Sequence, residues 1–195
     1  MPNNTNRPSR EEAEAAVRTL IQWAGDNPDR EGLLETPRRV TKAYEQFFAG
    51  YDSQPDKILG KTFGEVHGYD DIVLLKDMRL ESHCEHHMVP FTGVAHVAYL
   101  PNKRVVGISK IARLIDVYGK RLQTQETLTS QIAKTLNDVL KPKGVIVYIN
   151  AEHQCMTTRG IHKVGTTTTT ITSLGSFKDN DQLEQKFFRL IGQKN

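Results

Sequence analysis

A chain of 195 residues with 37% hydrophobic and 25% charged residues has room for one domain with a buried core, and too little for two ordinary ones. Its net charge of +3 falls short of the dense basic stripe of a nucleic-acid binder, and no apolar run approaches the roughly 20 residues of a membrane helix. The N-terminal stretch MPNNTNRPSREE lacks the apolar core of a signal peptide, so the expectation is a cytoplasmic protein without nucleic-acid or membrane partners.

Residues 1 to 8 are polar and proline-punctuated and read as a loose tail; a single domain is expected over 9–195, with leading helices to about residue 50 and a core from about 60. Ser9 and Glu12 form a capping box for a first helix, whose apolar face is Ala13, Ala16, Val17, Leu20, Ile21 and Ala24 before Gly25 and Pro28 end it. Thr36 is expected to cap a second helix, with Pro37 in its first turn, a face of Val40, Ala43, Tyr44, Phe47 and Phe48, and Gly50 at its C-terminus. The period then changes. Ile72 to Leu75 reads as a strand leading into a His/Cys loop, and Phe91 to Leu100 as another, with a turn at Pro101-Asn102 and a hairpin partner at Arg104 to Ile108. Helical spacing returns at Ser109 to Tyr118 and, after a break at Gly119 to Thr124, through Leu128, Ile132, Leu136, Val139 and Leu140, until Pro142 and Gly144 stop it. Val145 to Ile149 is a buried-strand candidate. The threonine-rich stretch Gly165 to Ser173 suits a strand surface better than a binding site, and Asp181 to Ile191 is the last helix. Blocks of strands and helices without strict alternation describe an α+β fold.

The chemistry concentrates in two short runs, His83-Cys84-Glu85-His86-His87 and His153-Gln154-Cys155. Four of the seven histidines, His83, His86, His87 and His153, lie within three positions of one of the two cysteines. Thiolate and imidazole are the donors zinc prefers, and a reducing cytosol favours thiols or metal ligands over a disulfide. Cys84 and His87 from the loop with Cys155 from the strand end make three ligands. Three ligands leave a coordination position for water, whose pKa zinc lowers to about 7. The alternative is a closed, structural Cys2His2 site with His83, His86 or His153 as the fourth ligand. The spare histidines beside the ion favour the catalytic reading, because acid/base chemistry needs such groups. Isolated His67, His96 and His162 read as ordinary surface or core residues.

In Gly107-Ile108-Ser109-Lys110-Ile111-Ala112-Arg113, Lys110 and Arg113 share a face near a helix start, where phosphate oxygens can bind, although such basic pairs are mostly solvated surface. Arg159 follows Cys155 by four positions and so falls near any metal held there. Glu126 opens a helix, where an acid favours the helix dipole.

Taken in order, Thr36-Pro37-Arg38-Arg39-Val40, Cys84-Glu85-His86-His87, Ser109-Lys110-x-x-Arg113, Gln125-Glu126-x-Leu128-Thr129 and His153-x-Cys155 to Arg159-Gly160 resemble the GTP cyclohydrolase I family. The resemblance implies that Cys84, His87 and Cys155 hold one zinc ion per subunit and that His86 and His153 are the acid/base histidines. It implies that Glu126, helped by Gln125, holds the guanine edge, and that Lys110, Arg113, Arg159 and Arg39, with Ser109 nearby, bind the triphosphate. The substrate would be GTP, opened at C8 with release of formate and rearranged to 7,8-dihydroneopterin triphosphate, the first step toward tetrahydrofolate and tetrahydropterins. The implied architecture is the tunnelling fold, an antiparallel sheet backed by helices, assembled as a toroidal homodecamer with active sites between subunits. In Lys163-Val164-Gly165-Thr166-Thr167 threonines stand where many relatives carry serine, which touches neither metal nor base recognition. Two other readings are a zinc-stabilised scaffold without chemistry and a related enzyme acting on another purine or pterin, such as the nitrile reductase of queuosine synthesis. That reductase works without zinc, and the intact Cys-Glu-His-His run argues against it.

Overall fold

The computed structural model describes residues 7–64 and 68–192, so most of the expected tail and His67 lie outside the described residues. Two compact units are present, one ending at Ala49 and one running from Gly50.

The first unit is a helix pair, α1 (Arg10–Trp23) and α2 (Thr36–Phe47), joined through a tight turn at Glu31–Leu33. Ser9 and Glu12 make the expected reciprocal capping box on α1. Thr36 does not cap α2. Glu35 holds the cap position with φ −90 and ψ −4, and no side-chain cap bond forms. The physical reason is the preceding turn: Leu34 already has helical dihedrals, so the chain never takes the extended entry that a capping hydroxyl needs. The apolar faces are partly covered. Val17, Ile21, Val40 and Phe48 are half-buried, while Leu20 and Trp23 stay 63% and 86% exposed.

The second unit contains α3 (Pro55–Ile58), β1 (Thr62–Phe63), β2 (Val73–Cys84), β3 (Pro90–Leu100), β4 (Val105–Val106), α4 (Ile108–Gly119) and β5 (Leu122–Gln123). It continues with α5 (Gln125–Leu140), β6 (Gly144–His153), α6 (Gln154–Thr157), β7 (Thr167–Gly175), α7 (Ser176–Asp179) and α8 (Asp181–Leu190). The main sheet has the order β5-β2-β3-β6-β7, antiparallel except for the short parallel contact of β5 with β2. This is the expected α+β arrangement.

The hairpin expected after Pro101-Asn102 does not form. Both edges of β3 are taken, Tyr99 pairing with Val73 on one side and Val145 on the other, so Val105–Val106 pairs instead with Thr62–Phe63 in a separate two-stranded sheet. Ile108 begins α4 rather than ending a strand.

Alternation along the strands builds two cores. Val97, Tyr99, Val145, Val147 and Ile149 face Leu114, Leu128, Ile132 and Leu136 of α4 and α5, while Ala98, Ile146 and Tyr148 pack with Phe177 and Phe187. With both faces covered, β6 is an unbroken apolar run from Val145 to Ile149. His96 is a buried core histidine whose Nδ1 accepts from the Asp77 N–H at 3.1 Å, at a bulge where Asp77 has φ 56.

Two glycines are dictated by close approach. Gly50 lies past the end of α2 without a positive φ, and a Cβ there would meet Val117 O at 2.0 Å. Gly93, at the β3–β6 crossing, would put a Cβ 2.0 Å from Asn150 O. Gly93→Ala is therefore expected to cost about 3 kcal/mol or more, the upper range for overpacking, read as a lowered Tm or insoluble expression. An unchanged Tm would show that the two strands have slack.

Candidate metal and substrate site

Pairing brings distant segments to one end of the sheet. Cys84, the last residue of β2, sits beside Gln123 of β5, and His153, the last residue of β6, pairs with Phe91 of β3. The turn after Cys84 is held by the Cys84 N–H to Val89 O at 2.9 Å and the Met88 N–H to Cys84 O at 2.8 Å, with Met88 at φ 54. The Glu85 N–H adds a bond to Gln123 O at 3.0 Å. This tight loop presents His86 and His87, and α6 carries Cys155 directly after β6.

One ligand atom each from Cys84, His87 and Cys155 lie within 4.8 Å of one another. No further His, Cys, Asp or Glu joins this group among the described residues. His86 stays outside it, its Nδ1 3.7 Å from Cys84 Sγ and its side chain 66% exposed. Arg159 reaches back to His87, with Nη1 2.8 Å from Nε2. Burial pushes the Cys155 thiol above its ordinary pKa, the adjacent Cys84 adds to this, and the Arg159 guanidinium opposes it.

His153 is better enclosed than His86. Its ring stacks on Phe91 with centroids 4.5 Å apart and planes 8° from parallel, and its Nε2 lies 2.8 Å from Gln125 Oε1. Burial lowers its pKa, and the Glu126 carboxylate acts in the opposite direction.

The remaining sequence candidates divide by element. Glu126 is exposed in the first turn of α5, behind the Thr124 cap that accepts from the Thr127 N–H. Ser109, Lys110 and Arg113 lie near the start of α4, where Lys110 and Arg113 form no ion pair among the described residues. Arg39 stands on α2 in the first unit. Gln125 is buried, and its carboxamide is bonded within the protein, so it lies behind His153 rather than open to the site surface. His162 is exposed with φ 49, outside the cluster, in keeping with its plain reading.

Residues 13–192 match the family described as GTP cyclohydrolase I. The chain belongs to the GTP cyclohydrolase I family. It is 60% identical to GTP cyclohydrolase 1 of Maricaulis maris over 95% of this chain and 90% of that one. It is 58% identical to the protein of the same name from Brucella canis, over 95% of this chain and 87% of that one. Among solved structures, the archaeosine synthase QueF-Like in its apo form aligns with a TM-score of 0.46 and 21% identity, over 54% of this chain and 94% of that one.

For a GTP cyclohydrolase I family member, the donor set fits a metal. Two sulfurs and an imidazole this close suit a borderline-soft ion, and a cation there would offset the burial that raises the pKa of the Cys155 thiol. Sequence reasoning did not find Phe91, whose ring is the stacking floor for His153, or Gln123, which anchors β5 beside Cys84. Phe91 carries no signal beyond a strand hydrophobe. Gln123 offered one, as a polar residue in the break between two helices.

Proposed function

We propose that this protein is a zinc-dependent GTP cyclohydrolase I, converting GTP to formate and 7,8-dihydroneopterin triphosphate in a cytoplasmic pathway. The observation that supports the reading is the convergence of Cys84, His87 and Cys155, with His86 against Cys84 but outside that group and His153 two residues before Cys155 and also outside it. Cys84, His87 and Cys155 would hold the zinc ion, which when bound would supply water acidified toward neutral pH and positive charge for the hydrolysis. His153 and His86 move protons to and from the purine as C8 is hydrolysed, first to a formamide and then to formate. The freed amine closes on the carbonyl of the opened, rearranged ribose with loss of water. The α5 start holds the base, the Glu126 carboxylate accepting from the ring N–H and exocyclic amine of guanine. Lys110, Arg113, Arg159 and Arg39 neutralise the triphosphate, with Ser109 as a hydroxyl donor.

A toroidal homodecamer with sites shared between subunits belongs to the same proposal. Its support is physical. Among the described residues β7 pairs on one side only, and Leu20, Trp23, Ile161 and Val164 are exposed apolar side chains that an assembly would cover.

Incubating the zinc-loaded protein with GTP should release formate and yield a pterin that fluoresces after oxidation. A zinc-loaded oligomer that makes neither sinks the reading, and a chelator should stop turnover without unfolding the protein. Glu126→Ala removes charge-assisted hydrogen bonds worth about 1.5–3 kcal/mol, so KM for GTP should rise about 10–100-fold. An unchanged KM would release Glu126 from the guanine edge.

A further inference from the structure

Gln125 is 1% exposed and sits at the centre of a hydrogen-bond network that fixes which way its amide faces. Its Nε2 lies 3.1 Å from Ile149 O, 2.9 Å from Thr168 O and 3.1 Å from Thr170 Oγ1. Backbone carbonyls only accept, so the amide nitrogen must occupy this side; the flipped amide would set Oε1 against two carbonyl oxygens. The hydroxyls agree. Thr129 donates to Gln125 O at 2.7 Å, so across the 2.7 Å contact Thr170 donates to Thr129 and keeps its lone pair for the Gln125 amide. Oε1 of Gln125 therefore faces His153 Nε2 at 2.8 Å, and because it too only accepts, the imidazole must be the donor.

We infer that Gln125 is a positioning residue that fixes a hydrogen on Nε2 of His153 and so holds the imidazole in one tautomer and one orientation, with its lone pair on Nδ1. Stacking on Phe91 stops the ring from turning over to exchange its two nitrogens. This differs from the sequence expectation that Gln125 helps Glu126 hold guanine: both atoms of its carboxamide are engaged inside the protein. The inference rests on the proposed function only in taking His153 as a proton-transfer group.

Neutron diffraction from deuterium-exchanged, zinc-loaded protein tests the hydrogen directly. A deuteron on Nε2 pointing at Gln125 is expected, and a ring deuterated on Nδ1 alone overturns the inference. That result does not depend on GTP being the substrate, so an enzyme inert toward GTP would count against the activity and not against the hydrogen position. Gln125→Met keeps the length of the side chain and removes the acceptor. Its kcat should fall about 10–100-fold, the usual cost of losing a supporting partner, with KM for GTP and zinc content nearly unchanged. A raised KM with unchanged kcat would return Gln125 to the guanine edge and overturn the positioning role.

Discussion

Replacing Cys155 with serine is expected to remove both the metal and the turnover while leaving the fold in place. The three donors Cys84, His87 and Cys155 come from a strand end, a tight loop and a short helix, and only Cys155 ties the β6 end to the other two. Serine keeps nearly the same volume but not the thiolate, since its hydroxyl does not ionise near neutral pH. Structural zinc sites bind with about 10–16 kcal/mol in apparent terms, so deleting one of three protein ligands should cost on the order of 3 kcal/mol, about 100-fold or more in affinity. The fold should survive because the main core, Ile111, Leu114, Leu128, Ile132 and Leu136 against Val145, Val147 and Ile149, is built without the cysteines' chemistry. Zinc measured by atomic emission, formate release and thermal melting together check the result. A serine variant that keeps zinc would remove Cys155 from the ligand set, and one that unfolds on losing zinc would make the site structural.

Much of this arrangement is legible in the sequence because the donor types are rare and the periodicities long. The capping box at Ser9, the helices through Leu114 and Leu136 and the run Val145 to Ile149 each repeat a pattern over several turns or residues, and each forms where that pattern places it. The elements that escape are short and decided by competition. The pair Leu122-Gln123 is too brief to show a period, yet its parallel contact with His83 and Cys84 places the α5 start beside the His/Cys loop. Val105-Val106 looks like a hairpin strand until both edges of β3 prove occupied. Gln125 illustrates the same limit within the site. The family resemblance implies a substrate contact for it, and only the structure shows its amide bonded inward to Ile149 O and Thr168 O.

Alanine at His86 or His153 is expected to separate metal binding from turnover, since neither ring belongs to the Cys84, His87 and Cys155 group. Losing a positioned acid or base typically costs about 10²–10⁴-fold in rate, so each variant should retain zinc and lose kcat by that order. The two should differ in stability. His86 is largely exposed, touching Cys84 Sγ through Nδ1, and its removal leaves water in its place with little change in Tm. His153 is stacked on Phe91 and satisfies Gln125 Oε1, so His153→Ala strands a buried acceptor and uncovers an aromatic face. An unsatisfied buried acceptor costs about 1–3 kcal/mol, so His153→Ala should melt measurably lower while still holding zinc. Zinc loss in His86→Ala would make His86 a ligand, and full activity in either variant would take that histidine out of the proton transfers. The contrast also separates the two histidines in a way that turnover alone does not, because equal losses of kcat with unequal losses of Tm place His153 in a preorganised hydrogen-bonded frame and leave His86 a mobile group at the mouth of the site.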